Sequence, residues 1–411
     1  MNSEEKTKRF LSRVLRDHYK TVDMSLPYRF TSREFAFIYR GSHGMHRPVG
    51  FSKKSELMKF LKNKIPIHAY YSTAYYANPR APMKEKEWLG ADLVFDLDAD
   101  HLPGGEELEY PEQLKLVKKK TRLLLEDFLL NDFGFEKKNV TLNFSGHRGY
   151  HIHVRRKDVL QMSAQARREI VDYITGRGLD TSVILPTETF EVDRFQEFRK
   201  NAESPRLPPP EQGGWRRKTR ELTISLLKRW SKMPEEKVLS EICEKHGVGE
   251  KTAEGLYDEL YGKEKWKRVV EEGVLDVFPE DRQVNVKTFE QIIDGIIEEE
   301  IISEVGSEVV GTTDEPVTGD TKRLIRLRNS IHGGSFLAVK PIALDEFSTF
   351  DPLKDAVPEC LGEKEYEITF EKEPSLENID IRGKTIDLEK GMKIPEYAVP
   401  FILSKYRAKL I

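Results

Sequence analysis

Residues 93–100, Leu93-Val94-Phe95-Asp96-Leu97-Asp98-Ala99-Asp100, constrain this chain more than any other stretch. Leu93, Val94 and Phe95 lead in, so the segment reads as a buried strand that ends on acids. Side chains alternate along a strand, which puts Asp96 and Asp98 on one face. Two carboxylates side by side repel each other unless something positive lies between them. A divalent cation bound through hard oxygen ligands, Mg2+ or Mn2+, resolves the conflict. The alternative is a strand end whose acids face water, and a short acidic run does not choose between the two.

A chain of 411 residues has room for two or three domains and a sizeable core. Charged residues at 33% and hydrophobic ones at 38% fit a soluble globular enzyme. No apolar run is long enough to span a bilayer, and the first residues lack the basic-then-apolar order of a signal peptide. A cytoplasmic location without a membrane partner is expected. Cys243 and Cys360 lie far apart, which suits a reducing compartment and excludes a cysteine-rich zinc site. The net charge of −3 gives no global basic footprint. Nucleic-acid binding must therefore come from local basic clusters.

Phe10, Leu11, Val14, Leu15 and Tyr19 recur at helical spacing, predicting an N-terminal amphipathic helix over 4–19. A strand over 33–39 follows, then a loop holding Arg47. Ser52 is placed to cap a helix reaching Asn63. Residues 67–76 are strand-like, 114–130 helical, 140–144 a strand, and 163–175 a helix. The proline run at 208–210 marks a boundary. From Trp215 to about Val305 the pattern is mainly helical and charged. Strand-like segments return at 336–344, 366–370 and 379–388, and 395–410 reads as one amphipathic helix. This order predicts an α+β architecture of mixed sheets flanked by helices, with a mainly helical inserted subdomain. The expected division is a core over 1–206 and 306–411 with an insertion over 207–305.

Three constellations carry possible chemistry. The first is Asp96 and Asp98. The second is the Gly-bounded turn at 145–149, where backbone N–H groups, the Ser145 hydroxyl and the Arg148 guanidinium suit a phosphate. His151 and His153 project from one face of the strand beyond it. A zinc site of His147, His151 and His153, or a plain hairpin with surface histidines, are the other readings. The third is the run from Asp314 to His332, where Lys322, Arg323, Arg326 and Arg328 surround Leu324, Ile325 and Leu327. Thr318 could cap a short helix there, and a solvated helix face is the alternative. Together these parts suit phosphoryl transfer, with carboxylates for metals and cations for a triphosphate. Gly247-Val248-Gly249-Glu250-Lys251-Thr252-Ala253 has the look of a helix-hairpin-helix turn that can present backbone N–H groups to a DNA phosphate, although such short motifs recur by chance and the surrounding helices are acidic.

These motifs, in this order, resemble the catalytic (small) subunit of the archaeal and eukaryotic DNA primases, the archaeal branch more closely. The resemblance covers nearly the whole chain. It implies that Asp96 and Asp98 are metal ligands, with Asp314 as the third catalytic carboxylate. Ser145-Gly146-His147-Arg148-Gly149-Tyr150-His151 resembles the family's Ser-Gly-x-x-Gly-x-His element. Ser145, Arg148 and His151 then inherit contacts to the nucleotide's phosphates, with His147 at an adjacent variable position. Arg326 and His332 fall on later triphosphate-binding positions, and Leu324 and Ile325 on neighbouring nucleotide contacts. Ser32-Arg33-Glu34-Phe35 resembles an early Arg-Glu-Phe element, so Glu34, and with it Arg47, would line the same cleft. Asp100 has strand parity but no counterpart in the family and reads as a solvated strand end.

The resemblance further implies a DNA-dependent nucleotidyltransferase that makes short primers de novo on single-stranded DNA from nucleoside triphosphates. It would use two Mg2+ or Mn2+ ions and form a heterodimer with an iron–sulfur-containing large primase subunit, near the nucleoid. Many relatives carry a cysteine-rich zinc knuckle after the acidic strand. Residues 101–130 hold no cysteine, so no structural zinc is expected. A stand-alone repair-type primase-polymerase, a metal-dependent phosphoesterase using the Asp/His cluster, and a non-enzymatic subunit with a dead site are the alternatives.

Overall fold

The architecture comes from a computed structural model that describes residues 2–101, 105–177, 187–194, 198–246, 248–273, 318–389 and 391–411. The backbone divides into two compact units. Met1–Arg122, Phe135–Val171 and Gly311–Ile411 make the first, and Leu123–Gly134 with Asp172–Val310 the second.

The first unit begins with α1 (Ser3–Thr21), started by a capping box between Asn2 and Glu5. Its apolar stripe buries Phe10, Leu11, Val14, Leu15 and Tyr19, the residues whose spacing predicts the helix. Strands β1 (Phe35–Ile38), β2 (His46–Val49) and β3 (His68–Ser72) follow, with α2 (Lys54–Lys64) between the last two. The segment expected to be a loop around Arg47 is thus a strand, because it pairs with β1. Ser52 does not cap α2 either. Lys53 holds that position, and the Ser52 N–H donates to the Glu56 carboxylate at 2.9 Å.

Strands β4 (Ala74–Tyr76) and β5 (Trp88–Ala91) form a ribbon that leads into β6 (Leu93–Asp98). Helix α3 (Tyr110–Leu123) continues with wider π-type turns over Leu124–Asp132. Strands β7 (Val140–Phe144) and β8 (Gly149–Val154) form the hairpin around the 145–149 turn, and α4 (Ala164–Thr175) comes next.

The central sheet has the order β12-β7-β8-β6, where β12 is Pro341–Ile342. One face is apolar. Phe95, Leu97, Phe144, Tyr150 and Ile152 on it are fully buried, each contributing about 1.5–3 kcal/mol by leaving water. The other carries the polar set, because the register aligns Asn143 with His151, His151 with Asp96, and Gly149 with Asp98. A second sheet, β11-β3-β1-β2, includes β11 (Leu324–Arg326). The basic run at 322–328 is therefore not a helix face: its middle, Leu324–Arg326, is a sheet-edge strand hydrogen-bonded to β3, with Ile325 and Leu327 buried.

Further on, only Pro341–Ile342 of the expected 336–344 strand joins a sheet. The preceding residues turn back, with Ser335 and Phe336 N–H groups both donating to the His332 carbonyl. The short α9 (Pro352–Asp355) precedes β13 (Glu365–Phe370), the hairpin β14 (Asn378–Ile381)–β15 (Lys384–Asp387), and β16 (Lys393–Pro395). The predicted 395–410 helix is shorter. Helix α10 (Val399–Lys405) ends where Arg407 takes a left-handed conformation, φ +48°, and the chain turns into β17 (Ala408–Leu410) beside β13.

In the second unit, β9 (Thr187–Arg194) and β10 (Phe198–Pro205) pair in an antiparallel ladder. Helices α5 (Gly214–Trp230), α6 (Glu235–His246), α7 (Glu250–Tyr257) and α8 (Lys265–Glu272) follow. Trp215 is buried against Phe128, and its indole N–H donates to the Tyr173 carbonyl at 2.6 Å. The hairpin-like motif lies between α6 and α7, with Gly249 at the α7 N-cap and residue 247 outside the described residues.

Candidate active site

Strand β6 delivers Asp96 and Asp98 to the polar face, and β8 supports them from the side. His151 lies directly opposite Asp96, its Nε2 3.4 Å from the carboxylate. The Asp96 side chain stays 26% exposed, open to a ligand, whereas His151 is buried. Asp98 is half-buried, and its carboxylate accepts the Asp100 N–H at 3.2 Å. Burial raises its pKa, and the negative charges of Asp96 and Asp100 add to that effect. A group whose charge is penalised by both desolvation and like neighbours is one that a cation would relieve. Asp314 lies outside the described residues.

Asp100 departs from the expected solvated end. The strand stops at Asp98, and Asp100 sits in a single helical turn over Ala99–His101. There its carboxylate pairs closely with the Arg148 guanidinium.

The turn at 145–149 is built on one hydroxyl. The buried Ser145 Oγ accepts N–H groups from His147 at 3.3 Å and Gly149 at 3.2 Å, which folds the loop back on itself. Its two glycines serve different ends. Gly146 has φ +82°, and a Cβ there would come within 2.9 Å of the His332 Cβ. A Cβ on Gly149 would reach 2.2 Å from the Leu97 carbonyl oxygen, so only glycine lets β8 approach β6 beside Asp98. The Arg148 Nε, His151 Nδ1 and Asn143 Oδ1 are buried without a hydrogen-bond partner among the described residues. Such orphaned groups are costly unless a ligand satisfies them.

Arg326 faces this group from β11, aligned with Tyr70 of β3. Its guanidinium lies 4.5 Å over the Tyr70 ring and donates from Nη1 to His68 Nδ1 at 2.5 Å. Burial lowers the Arg326 pKa, and Asp96 and Asp98 are near enough to pull it back. Three imidazoles then stand together. His68 meets His332 edge-on with centroids 4.9 Å apart, and His332 stacks on His147 at 4.5 Å. His332 Nδ1 accepts the Gly334 N–H at 3.1 Å. His147 Nε2 accepts from Lys405, which lies 4.8 Å over the Tyr110 ring. The Tyr110 hydroxyl donates to the His147 carbonyl at 2.5 Å.

Burial, helped by neighbouring cations, holds all three rings neutral. His68 is lowered to about 4 and His147 to about 2, and His332 is lowered as well. Burial also brings Lys405 down to about 8, with Arg148 adding to the effect.

The remaining expected residues have defined places. Leu324 is half-buried on β11, and Ile325 points into the core at 3% exposure. Glu34 is fully buried and held by Arg47 through two contacts, 2.7 and 3.2 Å, and by Lys86. The three histidines of the zinc alternative are engaged separately. His147 joins the imidazole stack and His151 sits beside Asp96. His153 is buried between Tyr71 and Asp92. Among the described residues no His, Cys, Asp and Glu side chains gather into a cluster of three that could hold a metal.

Sequence reasoning missed several supporting groups. His68 and Tyr70 share strand parity in an aromatic-rich segment, the one local signal that both face Arg326. Arg33 forms a fully buried pair with Asp92 at 2.8 Å and also donates to the Ser72 and Thr73 carbonyls, tying β1 and β3 to the entry of β6. Asp92 also accepts from the Tyr75 hydroxyl. Lys405 and Tyr110 carried no signal at all.

Comparison with known proteins identifies the family. A family profile described as DNA primase small subunit matches residues 95–344. The DNA primase small subunit PriS of Methanothrix thermoacetophila is 38% identical over 98% of this chain and 98% of its own length. That of Methanosarcina mazei is 36% identical over 98% and 96%, and that of Thermoplasma volcanium 33% identical over 100% and 98%. With a profile covering more than half of the residues and relatives matching end to end, the chain belongs to the DNA primase small-subunit family.

Proposed function

We propose that this chain is the catalytic subunit of a DNA primase, a template-directed nucleotidyltransferase that starts chains on single-stranded DNA for replication. The observation that carries the reading is the pairing of Asp96 with His151 across β6 and β8. It sets an acidic face beside the phosphate-type turn of Ser145 and Arg148. Asp96 and Asp98, with Asp314, would hold two divalent ions, and the raised pKa of Asp98 supports that fit. When bound, Mg2+ or Mn2+ supplies the positive charge that favours an ionised 3′-hydroxyl and a leaving pyrophosphate. The chain's own residues do the positioning. Arg148 and Arg326 offer guanidinium donors to a triphosphate, and neutral His332 and His151 add directional hydrogen bonds without further charge. Ser145 keeps the turn closed, and His147 stands between it and His332. Half-buried Leu324 would pack near the base or sugar, with core-facing Ile325 holding its strand in place behind it, while Glu34 fixes Arg47 at the cleft edge.

The relatives are named small subunits, which supports a heterodimer with a large primase subunit. That partner's iron–sulfur cluster is part of the proposal. No helix among the described residues is long and apolar enough to cross a membrane, and we place the enzyme in the cytoplasm at the nucleoid.

The test is an unprimed single-stranded template with labelled ribo- or deoxyribonucleotides, with and without the large subunit. Wild-type chain should extend from nucleoside triphosphates, and Asp96→Ala should abolish synthesis with its circular dichroism unchanged. Full activity in Asp96→Ala would refute the assignment. Cleavage of the template without incorporation would favour a phosphoesterase.

A further inference from the structure

The last helix brings one cation to this site that none of the motifs includes. Lys405 closes α10, more than 250 positions after the turn it touches. Its ammonium donates to His147 Nε2 and lies 4.8 Å over the Tyr110 ring. Tyr110 in turn holds the His147 carbonyl, so α3, α10 and the turn share one cluster. The side chain is half-buried, and it forms no ion pair with a carboxylate among the described residues. It also stands within electrostatic reach of Arg148, a like charge that disfavours it, while Asp98 and Asp100 draw it toward the acidic face.

An ammonium kept part-buried against neutral rings and a second cation is unfavourable on its own. The same arrangement suits a polyanion that enters and satisfies both cations at once. The imidazole stack also explains the position. His147 and His332 are neutral spacers that set Lys405 at one end and Arg326, through His68, at the other.

We propose that Lys405 is a further phosphate ligand of this site, gripping the β- and γ-phosphates of the incoming nucleotide and the pyrophosphate that leaves. The inference rests on the triphosphate site proposed above and names a residue from outside its motifs. Nucleotide entry requires the Lys405–His147 hydrogen bond to be exchanged for, or shared with, a phosphate oxygen. No bond of the substrate is made or broken by Lys405 itself.

The experiment is calorimetric titration of the full chain, with Mg2+, against nucleoside triphosphate, nucleoside monophosphate and inorganic pyrophosphate. Lys405→Met should weaken triphosphate and pyrophosphate binding by about tenfold, the loss of one charge-assisted contact. Monophosphate binding should stay unchanged, and Lys405→Arg should retain most of the triphosphate affinity. Unchanged triphosphate binding in Lys405→Met would overturn the proposal. Equal weakening of mono- and triphosphate would do the same, since it marks a purely structural role through His147.

A second measurement needs no variant. Amine-reactive labelling of wild-type chain should modify Lys405 less when pyrophosphate is present, and undiminished labelling would contradict direct contact. A wild-type chain that binds triphosphate no better than monophosphate would defeat the functional reading itself, a result distinct from either outcome at Lys405.

Discussion

Replacing Asp98 by Asn separates the stability of the acidic face from its function. Side chains two apart on a strand stand about 7 Å apart. At an effective dielectric near 20, two unit charges at that distance repel by about 2 kcal/mol. Asp96 is 26% exposed, so solvent screening reduces this to about 1 kcal/mol. The variant keeps an oxygen to accept the Asp100 N–H, the contact that Asp98 makes now. Without divalent ions, Asp98→Asn should therefore be more stable than wild type by about 1 kcal/mol, a rise of about 2 °C in melting temperature for a unit of this size. Adding Mn2+ should reverse the order. A ligand at a hundred times its dissociation constant stabilises the protein that binds it by about 2.7 kcal/mol. Wild type should gain that increment and Asp98→Asn little of it. Thermal melts of both proteins, each with chelator and with Mn2+, give the four numbers needed. Equal stabilisation of both by Mn2+, or a variant less stable than wild type in chelator, would refute the argument that Asp98 is a strained carboxylate awaiting a cation.

Two other outcomes follow from specific contacts. Gly149→Ala would place a Cβ 2.2 Å from the Leu97 carbonyl, so β6 and β8 must part beside Asp98. Primer synthesis should fall by about a hundredfold, for a displacement of order 1 Å, while the urea midpoint reports a loss of about 1–3 kcal/mol; full activity would show that this spacing does not matter. His18 and His153 are buried, and desolvation lowers both to about 4 from 6.5. Below pH 6.5 the unfolded chain binds protons that the folded one refuses, so their contribution is complete above that pH and declines toward pH 4, by roughly 2–3 kcal/mol each at pH 4.5. His18→Gln, which keeps a donor for the Asn329 carbonyl now accepting from Nε2 at 2.8 Å, should flatten the fall in urea midpoint between pH 7 and 4.5, and an unchanged slope would remove His18 from the account.

What could be read in the sequence divides along a physical line. Helix α1, strands β6, β7 and β8, and the turn between the last two follow from local periodicity and glycine placement, and they carry both acids and the Ser145 loop. The misreadings lie where a distant partner decides the local form. The Arg47 loop becomes a strand because β1 accepts it. The middle of the basic run, Leu324–Arg326, becomes a strand because β3 offers an edge, and a helix face is excluded for that reason. The terminal helix is cut short because Arg407 turns back so that β17 can pair with β13. The last two partners are far away in sequence, so no local pattern announces them, and the first pairing is hidden because the Gly- and Pro-containing stretch around Arg47 reads as loop.

The same division runs through the site and has a chemical cause. The pair of metal carboxylates proposed above needs a short, fixed separation, which positions i and i+2 of one strand supply, so Asp96 and Asp98 are visible as a motif. A triphosphate is a long anion that must be approached from several sides. Its candidate cations come from the turn (Arg148), an edge strand (Arg326) and the last helix (Lys405), and the hydrogen bonds that hold the last two, to His68 and His147, each span 258 residues. Such a grip has no local signature by construction. Arg148 has Asp100 as its partner, whereas Arg326 and Lys405 lean on the neutral imidazole stack of His68, His332 and His147, where each protonated ring would add a charge that the cluster could not bear. On the function proposed above, the acids mark where the chemistry would be, while the imidazoles set how the cations are spaced around it. A change of ring at 68, 147 or 332 should consequently alter triphosphate selectivity more than it alters the fold.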